Sequence, residues 1–235
     1  MLSLPNPAVR DLPSLRNRLR VFRDRRHAGE ALAGLLAAYR GSDATVLAIP
    51  AGGVPVGAEL AARLDLPLDV AVVSKITLPW NAEAGYGAVA FDGTVLLNDR
   101  LIAALGLSDE AIALGVAATR EKVSRRLQQF GGPCSVPAGR AIILVDDGLA
   151  SGFTLRAAIA ALRRRAPASL AVALPTAHGE SVETLVPELD ALYCANVRTG
   201  RSFAVADAYR QWCDVSEAEA IELLRAARAR AAEAG

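Results

Sequence analysis

The chain carries no strong charge of either sign, few cysteines and no long apolar run. Its 26 Lys and Arg against 25 Asp and Glu leave a net charge of +1. No global field therefore draws it to nucleic acid or to a membrane surface. Three cysteines, Cys134, Cys194 and Cys213, are odd in number and far apart. That argues against a disulfide framework or a zinc site and fits a reducing, cytoplasmic setting. No apolar stretch approaches the ~18 residues a membrane-spanning helix needs. Pro5, Pro7 and Pro13 break up the first residues, which lack the apolar core of a signal peptide. Internal repeats and long low-complexity segments are also missing.

What remains is the composition of a folded α/β protein: 235 residues, 52% hydrophobic and 22% charged. The most informative stretch begins at Ala141. Five apolar residues, Ala141-Ile142-Ile143-Leu144-Val145, read as a buried parallel strand. Two carboxylates follow, Asp146 and Asp147. A turn of small residues comes next, containing Gly148, Ala150, Ser151, Gly152 and Thr154. A helical pattern then starts, with Leu155, Ile159 and Leu162 on one face. Unpaired N–H groups at a helix start, with the positive end of the dipole, favour a phosphate there. Two bare carboxylates would repel that phosphate unless they face the hydroxyls of a sugar. A phosphorylated ribose satisfies both halves of the motif; a plain βα turn with acidic caps is the competing interpretation.

Apolar strands alternate with helical patterns four times between Thr45 and Val186, which predicts a parallel sheet with helices on both faces. Residues 1–21 read as an irregular N-terminal arm, and residues 22–235 as one domain that includes the C-terminal helix. An amphipathic helix is expected up to about Tyr39, with apolar Ala28, Ala31, Leu32, Leu35 and Leu36. Thr45 to Ile49 is the first core strand. It runs into Pro50-Ala51-Gly52-Gly53, where paired glycines permit close approach of a ligand to the main chain. Leu68 to Val73 is the next strand, ending at Ser74-Lys75. Lys75 there either reaches an anion or is a solvated strand end. From Ile76 to Val89 the periodicity fades, as in a mobile lid or an ordinary hairpin.

An Asp92-Gly93 turn precedes a short strand from Thr94 to Leu97. Ser108 caps a long helix whose Lys122, Arg125 and Arg126 read as a solvated basic face. Leu170 to Leu174 and Ala191 to Cys194 are further strands, and His178 follows the first of them, where α/β sheets bind ligands. Ser216 opens the last helix with a capping box, and fraying is expected after Arg228.

The stretch Val145–Thr154 closely resembles the phosphoribosyl-diphosphate binding motif of type I phosphoribosyltransferases. Ser151 stands where that family usually has Thr. Pro50–Gly53 resembles the family's diphosphate loop, often built with a non-proline cis peptide. The chain also resembles bacterial proteins that carry only a provisional phosphoribosyltransferase description. They share the start Phe22-Arg23-Asp24-Arg25, the Pro-x-Gly-Gly-Val-Pro loop and a C-terminal Val-Ser-x-x-Glu helix. Such relatives often have Arg where this chain has Ala51, which removes one cation from the diphosphate.

The resemblance implies a type I phosphoribosyltransferase-like fold: a mostly parallel twisted sheet with helices on both faces, plus a small hood from terminal and loop segments. It implies Mg²⁺-dependent displacement at the anomeric carbon of phosphoribosyl diphosphate. Gly148, Leu149, Ala150, Ser151, Gly152, Phe153 and Thr154 would hold the 5-phosphate. Ala51, Gly52 and Gly53 would serve the diphosphate, and Lys75 is a further substrate-binding candidate. Asp146 and Asp147 would take the ribose hydroxyls, favour the cationic transition state, and touch Mg²⁺ mainly through ligand and water. Asn81, Glu83, Tyr86 and His178 are the acceptor-side candidates. Ala150 replaces an acidic residue that hypoxanthine–guanine members use to deprotonate the purine, which argues against that base. The acceptor is otherwise open, either a nucleobase or another nitrogen nucleophile. The resemblance also implies a homodimer. A non-catalytic sensor of phosphoribosyl diphosphate or nucleotides, and a phosphoribosyl diphosphate hydrolase, are the alternatives. An RNA-binding sensor would need a basic face, for which Arg16, Arg18, Arg20, Arg23, Arg25 and Arg26 are the material; the near-zero net charge speaks against it.

Overall fold

Two continuous apolar runs set the centre of the molecule, because only a strand covered on both faces tolerates such a run. In the computed structural model, which describes residues 9–134, 138–200 and 202–233, these runs are adjacent strands. β2 (Thr45–Ala48) pairs in parallel with β7 (Ala141–Val145), with Val46 opposite Ile143 and Ala48 opposite Val145. Around them lies a six-stranded sheet in the order β1-β9-β8-β7-β2-β3. Its other members are β1 (Val9–Asp11), β3 (Leu68–Val70), β8 (Ser169–His178) and β9 (Ala191–Arg198). Every neighbouring pair in it is parallel.

The side on which successive strands are added switches between β2 and β7. From β2 the chain passes through α2 (Gly53–Leu64) to β3 on one side. From β7 it passes through α5 (Phe153–Arg163), β8 and α6 (Gly179–Leu185) to β9 on the other. Right-handed crossovers leading in opposite directions put α2 and α5 on opposite faces. α1 (Arg25–Leu35) packs beside α2, and α7 (Glu217–Glu233) packs against α2 and β3. The point of reversal opens a crevice beyond the carboxyl ends of β2 and β7, where sheets of this kind bind ligands.

Two sequence expectations change here, and an open alternative between lid and hairpin closes. The run Leu68 to Val73 is not one strand. β3 ends at Val70, and β4 (Val73–Leu78) belongs to a separate antiparallel sheet with β5 (Asn81–Ala90) and β6 (Val95–Leu97). Buried Ala71 and Val72 carry the chain from one sheet to the other, so burial is continuous while pairing is not. The segment from Ile76 to Val89 is a hairpin, with exposed Trp80 at its tip. The arm is not wholly irregular either: Val9–Asp11 adds an edge strand beside β9, while residues 1–8 lie outside the described part.

The small sheet, α3 (Asp99–Leu105) and α4 (Asp109–Gln129) form an insertion between β3 and β7 that packs on α5. Asn98 and Ser108 cap these helices by accepting the N–H groups of Leu101 and Ala111. β8 and β9 run further than expected, past Pro175 and Cys194, and α7 continues to Glu233. Among the described residues no helix is long and apolar enough to cross a membrane.

Candidate functional site

Two loops meet at the crevice. The first follows β2. Its Pro50–Ala51 peptide bond is cis, and Gly53 begins α2. The second follows β7 and runs from Asp146 to the start of α5. The loops touch so closely that side chains are excluded. A Cβ on Gly52 would collide with Asp147 Oδ2, and one on Gly53 would come within 3.0 Å of Asp146 Cα. At Gly53 the neighbours are main-chain atoms, Val145 O and Asp146 Cα, so only glycine fits; from the sequence the ligand, and not the second loop, is the expected close neighbour.

The second loop is held from outside. Leu149 donates its N–H to Thr176 O (3.0 Å), and its own carbonyl accepts from His178 N (3.1 Å). Ser181 Oγ donates to Ala150 O. A Cβ on Gly148 would run into Val205. Pinned in this way, the loop presents its other face. The N–H groups of Ala150, Ser151 and Gly152 have no partner among the described residues. Gly152 has φ +77°, and α5 starts directly after it with no side-chain cap. The first-turn N–H groups at Phe153, Thr154 and Leu155 have no intrahelical acceptor, because the helix begins there. A row of unpaired donors ending at a helix N-terminus is a cradle for a phosphate-sized anion.

Leu149 does not contribute to that cradle in the way proposed for it. Its side chain is buried and its N–H is spent on Thr176, so it anchors the loop to β8.

Asp146 and Asp147 stand at the mouth, half-buried. Asp147 N donates to Asp146 Oδ1 at 2.9 Å, which fixes the first carboxylate relative to the second. Burial, followed by the charge of Asp147, pushes the Asp146 carboxyl well above the usual carboxylate range. Burial also raises Asp147, but there Arg25 opposes the effect. Arg25, in the first turn of α1, places Nε and Nη2 each 2.9 Å from Asp147 Oδ2. Its Nη1 donates to Cys213 O at 2.7 Å, and its guanidinium lies 3.9 Å above the Trp212 ring. Tyr209 donates its hydroxyl to Asp147 O at 2.6 Å. Burial moves that phenol well above its ordinary value.

In the sequence Arg25 is one of six arginines that could supply a basic face, a possibility the net charge speaks against; in the structure it is buried in an ion pair. The pairing spans 122 positions, so no local pattern signals it. The Phe22–Arg25 motif is visible, but its partner is not. Tyr209 and Trp212 are missed for the same reason, within a segment that reads as irregular.

Arg126 changes status as well. It is not on a solvated face but 9% exposed. It donates to Pro50 O (3.0 Å), Val73 O (2.7 Å) and Ser74 Oγ (3.2 Å), and pairs with Glu217. It ties the first loop to the small sheet and to α7.

The remaining candidates separate from the cradle. Lys75 lies on β4 in the small sheet, not at the end of a core strand. Tyr86 is 1% exposed, with its ring against Gly115 of α4, so it is a core residue of the insertion and not open to an acceptor. Asn81 is exposed at the hairpin tip and accepts the Ala84 N–H. The side chain of Glu83 lies outside the described residues. His178 lies at the end of β8, its Nε2 2.9 Å from Gly200 O and its ring against Phe203.

The architecture has clear relatives. Residues 92–193 match the family model "Phosphoribosyl transferase domain". Residues 92–193 thus carry a phosphoribosyl transferase domain. Two Mycobacterium tuberculosis proteins, from strains CDC 1551 / Oshkosh and ATCC 25618 / H37Rv, are named "Putative phosphoribosyl transferase". Each is 34% identical over 221 residues, 92% of this chain and 49% of its own length. The chain spans about half the length of these curated relatives. The crystal structure of TT1426 from Thermus thermophilus is similar at 32% identity and a TM-score of 0.69. That match covers 88% of this chain and 98% of TT1426. The parallel sheet with helices on both faces is the type I phosphoribosyltransferase fold.

Proposed function

We propose that the chain is a phosphoribosyltransferase that uses phosphoribosyl diphosphate as donor. The observation that carries this is the row of unpaired N–H donors from Ala150 to the start of α5, set directly behind the Asp146–Asp147 pair. The cradle suits the 5-phosphate, and the carboxylates suit the ribose diol as hydrogen-bond acceptors. The N–H groups of Ala51 and Gly52, which have no backbone partner among the described residues, suit the diphosphate, whereas Gly53 donates its own to Ile49 O. In the reaction the bond from the anomeric carbon to diphosphate breaks, diphosphate leaves with that electron pair, and a nucleophile forms the new bond. The acidic pair is placed to favour the positive charge that develops on the sugar.

Magnesium fits the chemistry of the donor set. Only hard carboxylate oxygens are offered, and no side chain among the described residues forms an ion pair or hydrogen bond with the Asp146 carboxylate, which accepts from the Asp147 N–H. No group of three or more His, Cys, Asp and Glu converges among the described residues. Asp146 and Asp147 would therefore hold the ion together with oxygens of the donor. When bound it would neutralise the leaving diphosphate. The chain's own residues hold the phosphate, orient the ribose and fix the loop that receives the diphosphate.

The test is incubation with phosphoribosyl diphosphate, Mg²⁺ and a panel of nucleobases and amines, with diphosphate release as the readout. Release that depends on one acceptor supports transfer. Release without any acceptor makes the chain a hydrolase, and binding without release makes it a sensor. The absence of both binding and release overturns the reading.

A further inference from the structure

The first loop has little of its own with which to keep its shape. Pro50 has no N–H, Ala51 carries only a methyl, and Gly52 and Gly53 carry no side chain. Gly53 donates to Ile49 O at 3.0 Å and Val54 to Ala51 O at 3.1 Å, while the N–H groups of Ala51 and Gly52 have no backbone partner among the described residues. The Pro50 carbonyl is gripped from outside, by Arg126 Nη2 at 3.0 Å. A peptide unit is planar, so this carbonyl and the Ala51 N–H turn together. Whatever fixes the one aims the other.

Arg126 is itself held. It lies in the last turn of α4 and is 9% exposed. Its Nη1 donates to Val73 O at 2.7 Å and Ser74 Oγ at 3.2 Å, both at the start of β4. Its Nε pairs with Glu217, the first residue of α7. All three nitrogens are engaged in one planar fork, a geometry that a lysine ammonium does not reproduce. The phosphate cradle has other supports. Leu149 is bonded to Thr176 and His178, and Ala150 O accepts from Ser181. The two halves of the donor site therefore stand on separate footings.

Resting on the phosphoribosyl-diphosphate reading above, we propose that Arg126 is the positioning residue of the diphosphate half of the site. Held by β4 and Glu217, its guanidinium aims the open N–H groups of Ala51 and Gly52 at the diphosphate. It acts through the Pro50 carbonyl, not on the ligand. The 5-phosphate half does not depend on it.

The test is calorimetric titration of the full chain and of Arg126→Met and Arg126→Lys, each with Mg²⁺ and one of two probes, inorganic diphosphate or ribose 5-phosphate. Arg126→Met should weaken diphosphate by about 10-fold or more, because small displacements of positioned donors are costly. Ribose 5-phosphate should stay within about 3-fold of wild type, since its site is separate. Arg126→Lys, which keeps the charge and loses the fork, should shift the ratio of the two affinities in the same direction by less. A merely structural role would lower Tm and leave that ratio unmoved. The proposal is overturned if Arg126→Met binds diphosphate as the wild type does, or if both probes weaken equally. Should Arg126→Met fail to fold, Arg126→Lys decides by the same ratio.

Amide hydrogen exchange without ligand gives a second readout. In the variants the Gly53 and Val54 amides, bonded within the first loop, should exchange faster, while Leu149, bonded to Thr176, keeps its protection. Unchanged exchange at Gly53 and Val54 refutes the proposal. A wild-type chain that binds neither probe nor phosphoribosyl diphosphate defeats the functional reading alone, because exchange still decides whether Arg126 orders the loop.

Discussion

Replacing Asp146 with asparagine should stabilise the ligand-free chain while disabling it. The side chain is half-buried, its neighbour Asp147 is like-charged, and its hydrogen bond comes from the Asp147 N–H alone. Burial and that charge together raise its proton affinity well above the unfolded value of 3.8. Between pH 3.8 and the raised value, the folded chain binds more protons than the unfolded one. Stability therefore falls as pH rises through that window, and is regained on acidification. Asp147, raised by burial, acts in the same direction. Asp24 and Asp190 work oppositely: backbone N–H groups of His27 and Leu170 lower them, so their contribution is lost only as pH drops below 3.8. The two windows do not overlap.

Asparagine keeps the shape and the acceptor oxygen but removes the charge. Relief of a single strained functional group is worth about 1 kcal/mol. For a chain of this length, that is a rise in Tm of about 2–4 °C. Differential scanning calorimetry on both proteins, from about pH 7.5 down to about pH 5, measures it. Wild-type Tm should climb on acidification. The advantage of the variant should be largest at the neutral end and shrink toward the acid end. A variant no more stable than wild type at neutral pH, or a wild-type Tm that falls over this range, refutes the electrostatic account of the acidic pair.

Two further substitutions probe the loops. Gly52→Ala would drive a methyl into Asp147 Oδ2, and should lower donor affinity by about 10- to 100-fold through displacement of the carboxylate, read by calorimetry with a melting curve as control. Arg126→Met removes the donor to Pro50 O and Val73 O. With two buried carbonyls left unpaired, urea denaturation should show a loss of about 2–4 kcal/mol.

The part of the site that is legible in the sequence is the part that is contiguous. Apolar run, acidic pair, small-residue turn and helix lie in one stretch, so β7, the cradle and α5 can be read directly from Ala141 to Arg163. The Pro50–Gly53 loop is readable for the same reason. What escapes is pairing over distance. Arg25 and Arg126 look like surface arginines in their own helices; only the fold reveals that one faces Asp147 and the other Pro50. Hydrophobicity also conceals a change of sheet. Leu68 to Val73 is apolar enough to be one strand, and Ala71 and Val72 are buried in the crossing between two. Conversely, Pro175 reads as a stop, yet β8 continues through it, because Leu174 and Thr176 on either side keep their partners Cys194 and Asn196 in β9. Tyr86 looks like a lid residue because glycines flank it, but Gly85 and Gly87 are there to admit Lys75 and the β6 main chain at close range.

The most direct measurement is a calorimetric titration of the full chain with phosphoribosyl diphosphate and Mg²⁺, repeated on Asp146→Asn. One-to-one binding to the wild type, weakened by about 10-fold or more in the variant, is the predicted result. A wild type that ignores the ligand, or a variant that binds it equally well, would contradict the claim that the cradle and its acidic pair grip a ribose phosphate.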